Sequence, residues 1–597
     1  MELNVKGFSI DEVENPFPQI PFNKIRSFQK EFIENIEKFD IFSLSAPTGA
    51  GKTLCFEYLC KTHPPVLLVY PTSALMADQE RQLKDHGVEV FRLDAQSLGE
   101  AKGYERSRKL MGIFGRYDII ITNPDILSAI LHRLYINPEE DLLRTFRYPK
   151  YIIFDEFHIF EELELSDILL QILCYLRLSK SKIVLSSATP SPEFFNVLTT
   201  LQPECVVKKI NVQSVEGNIP IRYDTHVTFL TDNFKQHTPL LIEECIRENR
   251  KTLVIGNSNK VIREMYNDLC SNGFGSYVTK DSGDETQGDT KADLSKLIIL
   301  STAKSEVGID YPIDAVIIDA PFDIQSFIQR FGRVCRKKEG VAYIYTKKVP
   351  LLEREMTYTK FIETMKSHLF ENKINEKVLK TLLEYRAYLF IRDYRDQKKA
   401  IEYVISVINW KKYFGFFRGI SEAEAQLKQL KIDNKDLRDL IIFLNDYDKG
   451  LHFLRGKSLT TQIKYQRGFE WSYTSYGLLH SLNNYEIDIE DGHLILLKPM
   501  DSPRIHSLTY NGDEYDYYKF DSQIKEEITK KLSNLENLGL IQNGAKYILK
   551  ELIRVDLKKI ILPEKVTLKD GMIIETNNFV KNIQNSEKGT LQSHNII

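Results

Sequence analysis

The chain runs to 597 residues, with 42% hydrophobic and 27% charged residues and a formal net charge of -3. That length favours several domains over one core. No apolar run is long enough to span a bilayer, and the near-neutral balance argues against a histone-like general nucleic-acid binder while leaving room for a local basic channel. The seven cysteines all lie at or before Cys335 and form no C-x-x-C pair, which argues against a zinc or redox site and for a reducing compartment. Cys55 and Cys60 are expected on one helix, packed in a core. Residues 1–11 mix charged and polar residues among apolar ones and lack a signal-peptide core. A cytoplasmic protein with no membrane association is expected.

In chain order, residues 1–20 read as a separate N-terminal segment. Strands are expected at 42–45, 66–70, 118–122, 151–155 and 182–187. Most are continuous apolar runs without in-out alternation, as parallel strands read when helices cover both faces. Helical spacing between them, as in 165–178, implies a doubly wound α/β domain over 21–215. The pattern breaks near 203–220 and restarts with strands at 226–230, 252–256, 297–301, 315–319 and 341–345. This is a second α/β domain over 216–350. Residues 281–293, rich in Asp, Gly, Thr and Ser, read as a surface loop. From 351 to 597 the character changes to a mainly helical, mixed accessory region: helical over 353–396, strands over 471–500, helical again over 525–559. Its tail, from about Asn582, is polar and expected to be disordered.

Two motifs carry chemistry. The first runs Ala46, Pro47, Thr48, Gly49, Ala50, Gly51, Lys52, Thr53, after a predicted strand and before a predicted helix. That is the context of a P-loop. The glycines let backbone N–H groups close around phosphate oxygens, and the helix N-terminus adds partial positive charge. Lys52 supplies a point charge to the phosphates, and Thr53 offers its hydroxyl to Mg²⁺. Ala46 stands where the usual pattern has glycine. A chance Gly-rich turn is the rival reading. The second motif, Asp155-Glu156-Phe157-His158, ends an apolar run. Carboxylates at a strand's C-terminal end point into the crevice where open α/β sheets bind ligands. Asp155 would hold the metal, and Glu156 would orient and deprotonate the attacking water. An exposed acidic turn is the rival here.

Taken with seven further motifs in order, residues 24–346 resemble the superfamily 2 helicases. The resemblance implies two tandem RecA-like domains, ATP and Mg²⁺ as cofactors, and a nucleic-acid-stimulated ATPase. It gives Gln29, in Arg26-Ser-Phe-Gln29, the adenine edge. It gives Pro71, Thr72, Thr122 and Pro124 contacts with the nucleic-acid strand, and Ser187-Ala-Thr189 the coupling of hydrolysis to movement. In the second domain Ser258, Ser301 and Thr302 become strand contacts, Gly308 and Asp310 join the nucleotide site, and His158 and Gln329 join the catalytic set. Arg333 and Arg336 become arginine fingers that make domain closure a condition of catalysis, typically worth about 10³–10⁵ in rate. The family usually has glycine where Cys335 stands, which questions the local backbone. For Thr72, Thr122 and Thr302 the rival role is capping of strand ends.

The spelling Asp-Glu-Phe-His, the early P-loop and the long C-terminal extension look like the CRISPR-associated signature helicase of type I systems, with features nearest type I-D. None of the twelve histidines immediately precedes an aspartate. The resemblance therefore implies a stand-alone helicase subunit without the HD nuclease. It would translocate on single-stranded DNA 3′-to-5′, with a guide-RNA (Cascade-type) effector complex and a separate HD nuclease subunit as partners. A superfamily 2 DNA-repair or RNA helicase outside CRISPR, and an ATP-gated docking factor that never unwinds, are the alternatives. The segment 410–418 interleaves aromatic and basic residues, and 510–520 is rich in tyrosine. Both suit core packing first and base stacking second.

Overall fold

The computed structural model describes residues 1–576 apart from 48, 99–102, 135–141, 188–190, 213–216, 282–292, 303–312, 322–323, 348, 350–351, 370–373, 395–396, 453–461, 466–469, 473–478, 480–481, 484, 491–492, 500–502, 542–544 and 556. Thr48, Thr189, Gly308 and Asp310, most of the loop expected at 281–293 and the polar tail lie outside the described residues.

Two parallel sheets organise the first 350 residues. The first has seven strands in the order Val207–Asn211, Ile41–Ser45, Lys182–Ser187, Tyr151–Asp155, Val66–Val69, Ile119–Thr122, Phe91–Arg92, and all its pairs are parallel. Its inner strands are buried on both faces, for example every residue of Tyr151–Asp155. Hence the apolar runs without alternation. The second sheet has eight strands in the order Val278–Asp281, Ile298–Ser301, Thr252–Ile255, Ala315–Asp319, Gly340–Tyr345, Thr225–Leu230, Glu2–Lys6, Glu355–Thr357. The arrangement is that of tandem RecA-like domains with a mixed C-terminal region.

The ends of the second sheet differ from the sequence expectation. Glu2–Lys6, expected in a separate segment, lies antiparallel to Thr225–Leu230 and parallel to Glu355–Thr357. Leu3 and Val5 point into the core with 2% and 0% exposure, so the alternation of a half-buried strand is present. Phe8–Ile10 then pairs with Ile219–Arg222. The chain thus starts in the second domain before it builds the first.

Beyond residue 351, helices Glu376–Asp393, Lys411–Leu430 and Lys435–Leu451 pack with a four-stranded antiparallel sheet that includes Ile505–Tyr510 and Lys565–Leu568. These helices share one continuous apolar core with one face of the first sheet. A buried polar cluster crosses the same junction. Arg386, fully buried, donates to Asp167 at 2.7 Å, to the Ser166 hydroxyl at 2.9 Å and to the Leu451 carbonyl at 2.5 Å. Asp167 also pairs with His132 at 2.7 Å and accepts from Ser128 and Gln171. No described helix is long and apolar enough to cross a membrane.

Candidate nucleotide site

The strand Ile41–Ser45 delivers the chain to the phosphate loop, and helix Lys52–Thr62 leaves it. The Ala46 N–H donates to the Ser187 carbonyl at 3.3 Å, tying the loop to the adjacent strand. The Ala50 N–H donates to the Pro47 carbonyl at 3.1 Å and closes the turn. Gly49 and Gly51 sit at φ +85° and +77°, a region that strongly favours glycine. A Cβ on Gly51 would also stand 2.6 Å from Arg26 Nη1 and 2.9 Å from Gln29 Nε2. Cys55 and Cys60 lie buried on the helix behind, and burial pushes both thiols up. Thr53, in the first turn, is half-buried.

Opposite the loop, Asp155 ends its strand and Glu156 turns back at φ +52°. A non-glycine residue there costs roughly 1–2 kcal/mol. The turn places Glu156 Oε1 3.0 Å from Lys52 Nζ, with Asp155 Oδ1 at 3.9 Å. All three residues are less than a tenth exposed. Burial opposes the Lys52 charge, but the two carboxylates outweigh it and raise its pKa. Burial pushes the Asp155 carboxyl up to about 6, Lys52 pulls it down, and the Glu156 charge pushes it further up. Lys52 is thus shared between two buried carboxylates.

Gln29 is engaged within the protein. Its Nε2 donates to the Gly51 carbonyl at 2.7 Å, and its Oε1 accepts from the Arg26 N–H at 2.8 Å. Arg26 Nη1 donates to the Gly49 carbonyl at 3.0 Å. Arg26 was not singled out from the sequence, although it lies in the same short motif. Of His158 only the backbone is described, in the short turn Phe157–Ile159.

Helix Ile324–Phe331 of the second domain lies beside that turn. Gln329 lies on it and Arg333 just after it, and both are buried. Arg336 Nε donates to the Gly332 carbonyl at 3.0 Å. Arg330, unremarked in the sequence, donates to Asn257 Oδ1 at 2.7 Å and to the Asp319 carbonyl at 2.8 Å, so it braces the second domain. Cys335 adopts φ +62°. The left-handed backbone that favours glycine is therefore kept by a buried cysteine.

The expected strand contacts divide. Thr72 caps helix Ser73–Asp85, accepting from the Leu75 N–H at 3.3 Å, and stays half-buried. Ser258 precedes helix Asn259–Leu269 without capping it and is half-buried. Pro71, Pro124 and Thr302 are buried. Thr122 and Ser301 are corrections. Both are fully buried, and their hydroxyls donate inward, to the Leu93 carbonyl at 3.1 Å and the Asp281 carbonyl at 2.6 Å. Such side chains satisfy the sheet ends and are not strand-facing donors.

A phosphate loop facing a carboxylate pair at the C-terminal edge of a parallel sheet defines a P-loop nucleotide-binding fold, here duplicated as a tandem pair of α/β domains. Residues 26–197 match the DEAD/DEAH box helicase family. It is similar to the CRISPR-associated helicase Cas3 of Thermoproteus tenax, 24% identical over 53% of this chain and 58% of that protein. It is also similar to the antiviral helicase SKI2 of Saccharomyces cerevisiae, 26% identical over 40% of this chain and 18% of that one. The chain thus spans less than two thirds of both. In fold it resembles the DUF1998 helicase MrfA bound to DNA, with TM-score 0.56 at 14% identity over 86% of this chain and 74% of that one. With DNA and AMPPNP bound, MrfA gives a TM-score of 0.54 over 86% and 78%.

Proposed function

We propose that the chain is an ATP-driven translocase on single-stranded DNA that serves type I CRISPR interference beside a separate nuclease. The observation that carries the motor reading is the Lys52–Glu156–Asp155 cluster, with the arginine-bearing helix of the second domain beside it. The CRISPR reading rests on the similarity to the Thermoproteus helicase.

The residues suit a triphosphate with Mg²⁺. Gly49 and Gly51 hold left-handed turns that let backbone N–H groups face a phosphate, and Asp155 is a hard oxygen donor that shares Lys52 with Glu156. Asp155 and Thr53 would hold Mg²⁺, phosphate oxygens and water completing its shell. The ion supplies neutralisation of phosphate charge. Lys52 then exchanges Glu156 for phosphate oxygens. Glu156, released, takes the proton of the attacking water as its oxygen bonds to the γ-phosphorus and the bond to the bridging oxygen breaks. Arg333 and Arg336 stabilise the charge on the γ-phosphoryl oxygens only when the domains close. Alternating grip by the two domains turns that cycle into movement along a backbone read without regard to sequence.

The test is ATP hydrolysis with single-stranded DNA, with RNA and without either, followed by strand displacement. DNA-stimulated turnover and 3′-to-5′ displacement are expected. Hydrolysis that never moves a strand would leave an ATP-gated docking factor, and stimulation by RNA alone would leave an RNA helicase. The likeness to MrfA over most of the chain supports a second reading, a DNA motor outside CRISPR. Arg333→Ala should retain nucleotide binding and slow hydrolysis about 10³-fold. Lost binding with unchanged turnover removes Arg333 from the finger role.

A further inference from the structure

The segment 410–418 divides between two fates. Trp410, Tyr413 and Phe416 are core residues, with only an edge of Trp410 reaching the surface at 8% exposure, but Phe414 is 58% exposed. It stands at a cavity of about 580 Å³ whose other walls include Tyr388 and Trp410. That volume lies in the range of clefts that hold small ligands, about 300–1,000 Å³. Arg392, Lys398 and Lys411 also line it, and no carboxylate does among the described residues. Arg392 is neutralised by Asp448 and Asp393. Lys398 has the exposed Glu402 at 3.6 Å. Lys411 has no carboxylate within ion-pair distance among the described residues, and its Nζ lies 6.0 Å from the Trp410 ring centre. Lys411 also opens a helix whose first turn has no acidic residue, a poor place for a cation unless an anion joins it, whereas the neighbouring Lys412 is paired with Glu384 at 2.5 Å. Tyr388 is held by parallel stacking on Phe417, 5.0 Å between centres and 4° between planes.

We propose that this cavity is a second single-strand contact, in the accessory region, that takes one unstacked nucleobase on Phe414 against the Trp410 wall and the adjoining phosphate on Lys411 and Lys398. Aromatic faces beside excess positive charge suit any base, because every base has a π-face and every nucleotide an anion. The arrangement would hold the strand while the two α/β domains release it in turn. The proposal rests on the nucleic-acid reading above.

Trp410 is one of two tryptophans, so Trp471→Phe makes it the sole emitter. In that background, labelled oligothymidylate is added to the full chain while anisotropy reports binding and emission reports stacking. Saturating quenching in step with anisotropy is expected. Phe414→Ala, at an exposed position, should weaken oligonucleotide binding about fivefold or more and remove most of the quenching. Lys411→Glu should weaken it and flatten the salt dependence. Binding with Trp410 emission unchanged overturns the cavity proposal and leaves the motor reading standing. No anisotropy change overturns both. Quenching by thymidine monophosphate but not by the oligonucleotide makes the cavity a free-nucleotide site. Quenching only by a peptide of alternating Asp and Phe makes it a protein-docking site. Either result overturns the proposal.

Discussion

Asp155 and Asp167 are both buried in the first domain, twelve positions apart in the chain, and their carboxyls are displaced in opposite directions. Burial raises both. At Asp155 it prevails: Lys52 is shared with Glu156, and the carboxyl stands at about 6. At Asp167 it is overcome by Arg386 and His132, with a further hydrogen bond from Gln171, and the carboxyl falls to about 2. At the first cluster one lysine is shared by two carboxylates; at the second Asp167 alone collects Arg386, His132, Ser128 and Gln171. A binding site shares its cation among several carboxylates, whereas a structural junction gathers its donors on one.

The comparison breaks most visibly where a cation is removed from each cluster. Lys52→Ala should bring hydrolysis to background with little loss of thermal stability, because Asp155 stands close enough to its titration to take up a proton in place of the lost charge. Normal turnover would refute the phosphate assignment. Arg386→Leu strands Asp167 in an apolar junction and should cost about 3–5 kcal/mol in unfolding free energy. Denaturant titration measures it, and a loss under about 1 kcal/mol would mean that the junction opens to water. If Lys52→Ala proved the more destabilising of the two, the division between a ligand-awaiting cluster and a closed one would fail.

Much of the first cluster was legible in the sequence, and the second was not. The phosphate loop and the acidic strand end are contiguous strings whose spacing is fixed by backbone geometry. The strand predicted at 151–155 forms over just those residues. Lys52 and Glu156, 104 positions apart, could be paired only because both motifs sit at ends of parallel strands. The junction joins Ser128, His132, Asp167 and Arg386 from three helices with no local pattern, and Arg386 reads as one more charge on a helix. The strand Glu2–Lys6 was missed because its partners lie more than 200 residues away. Thr122 and Ser301 show the limit of motif reading: the positions follow the family, while the hydroxyls serve the sheet. The 410–418 segment was ambiguous because helical spacing buries Tyr413 and Phe416 and leaves Phe414 outside.

A smaller effect tests the sign of each displacement. Asp155→Asn should abolish hydrolysis yet stabilise the nucleotide-free fold by about 0.5–2 kcal/mol, since it removes a buried charge that folding disfavours. Because the folded carboxyl titrates above its ordinary 3.8, its ionisation costs stability as pH rises through about 4 to 6. The advantage of Asp155→Asn over the parent should therefore be full above pH 6 and vanish below about pH 4. Asp167 runs the other way. Its folded value lies below the ordinary one, so its contribution is present above about pH 4 and lost as pH falls through about 2. Asp167→Asn should accordingly be most damaging at neutral pH and approach the parent in strong acid. Unfolding free energies of the three proteins between pH 3 and 8 decide the matter. Two difference curves of the same sign would mean that the clusters do not differ in kind, and that Asp155 is held by its neighbours as fully as Asp167 is.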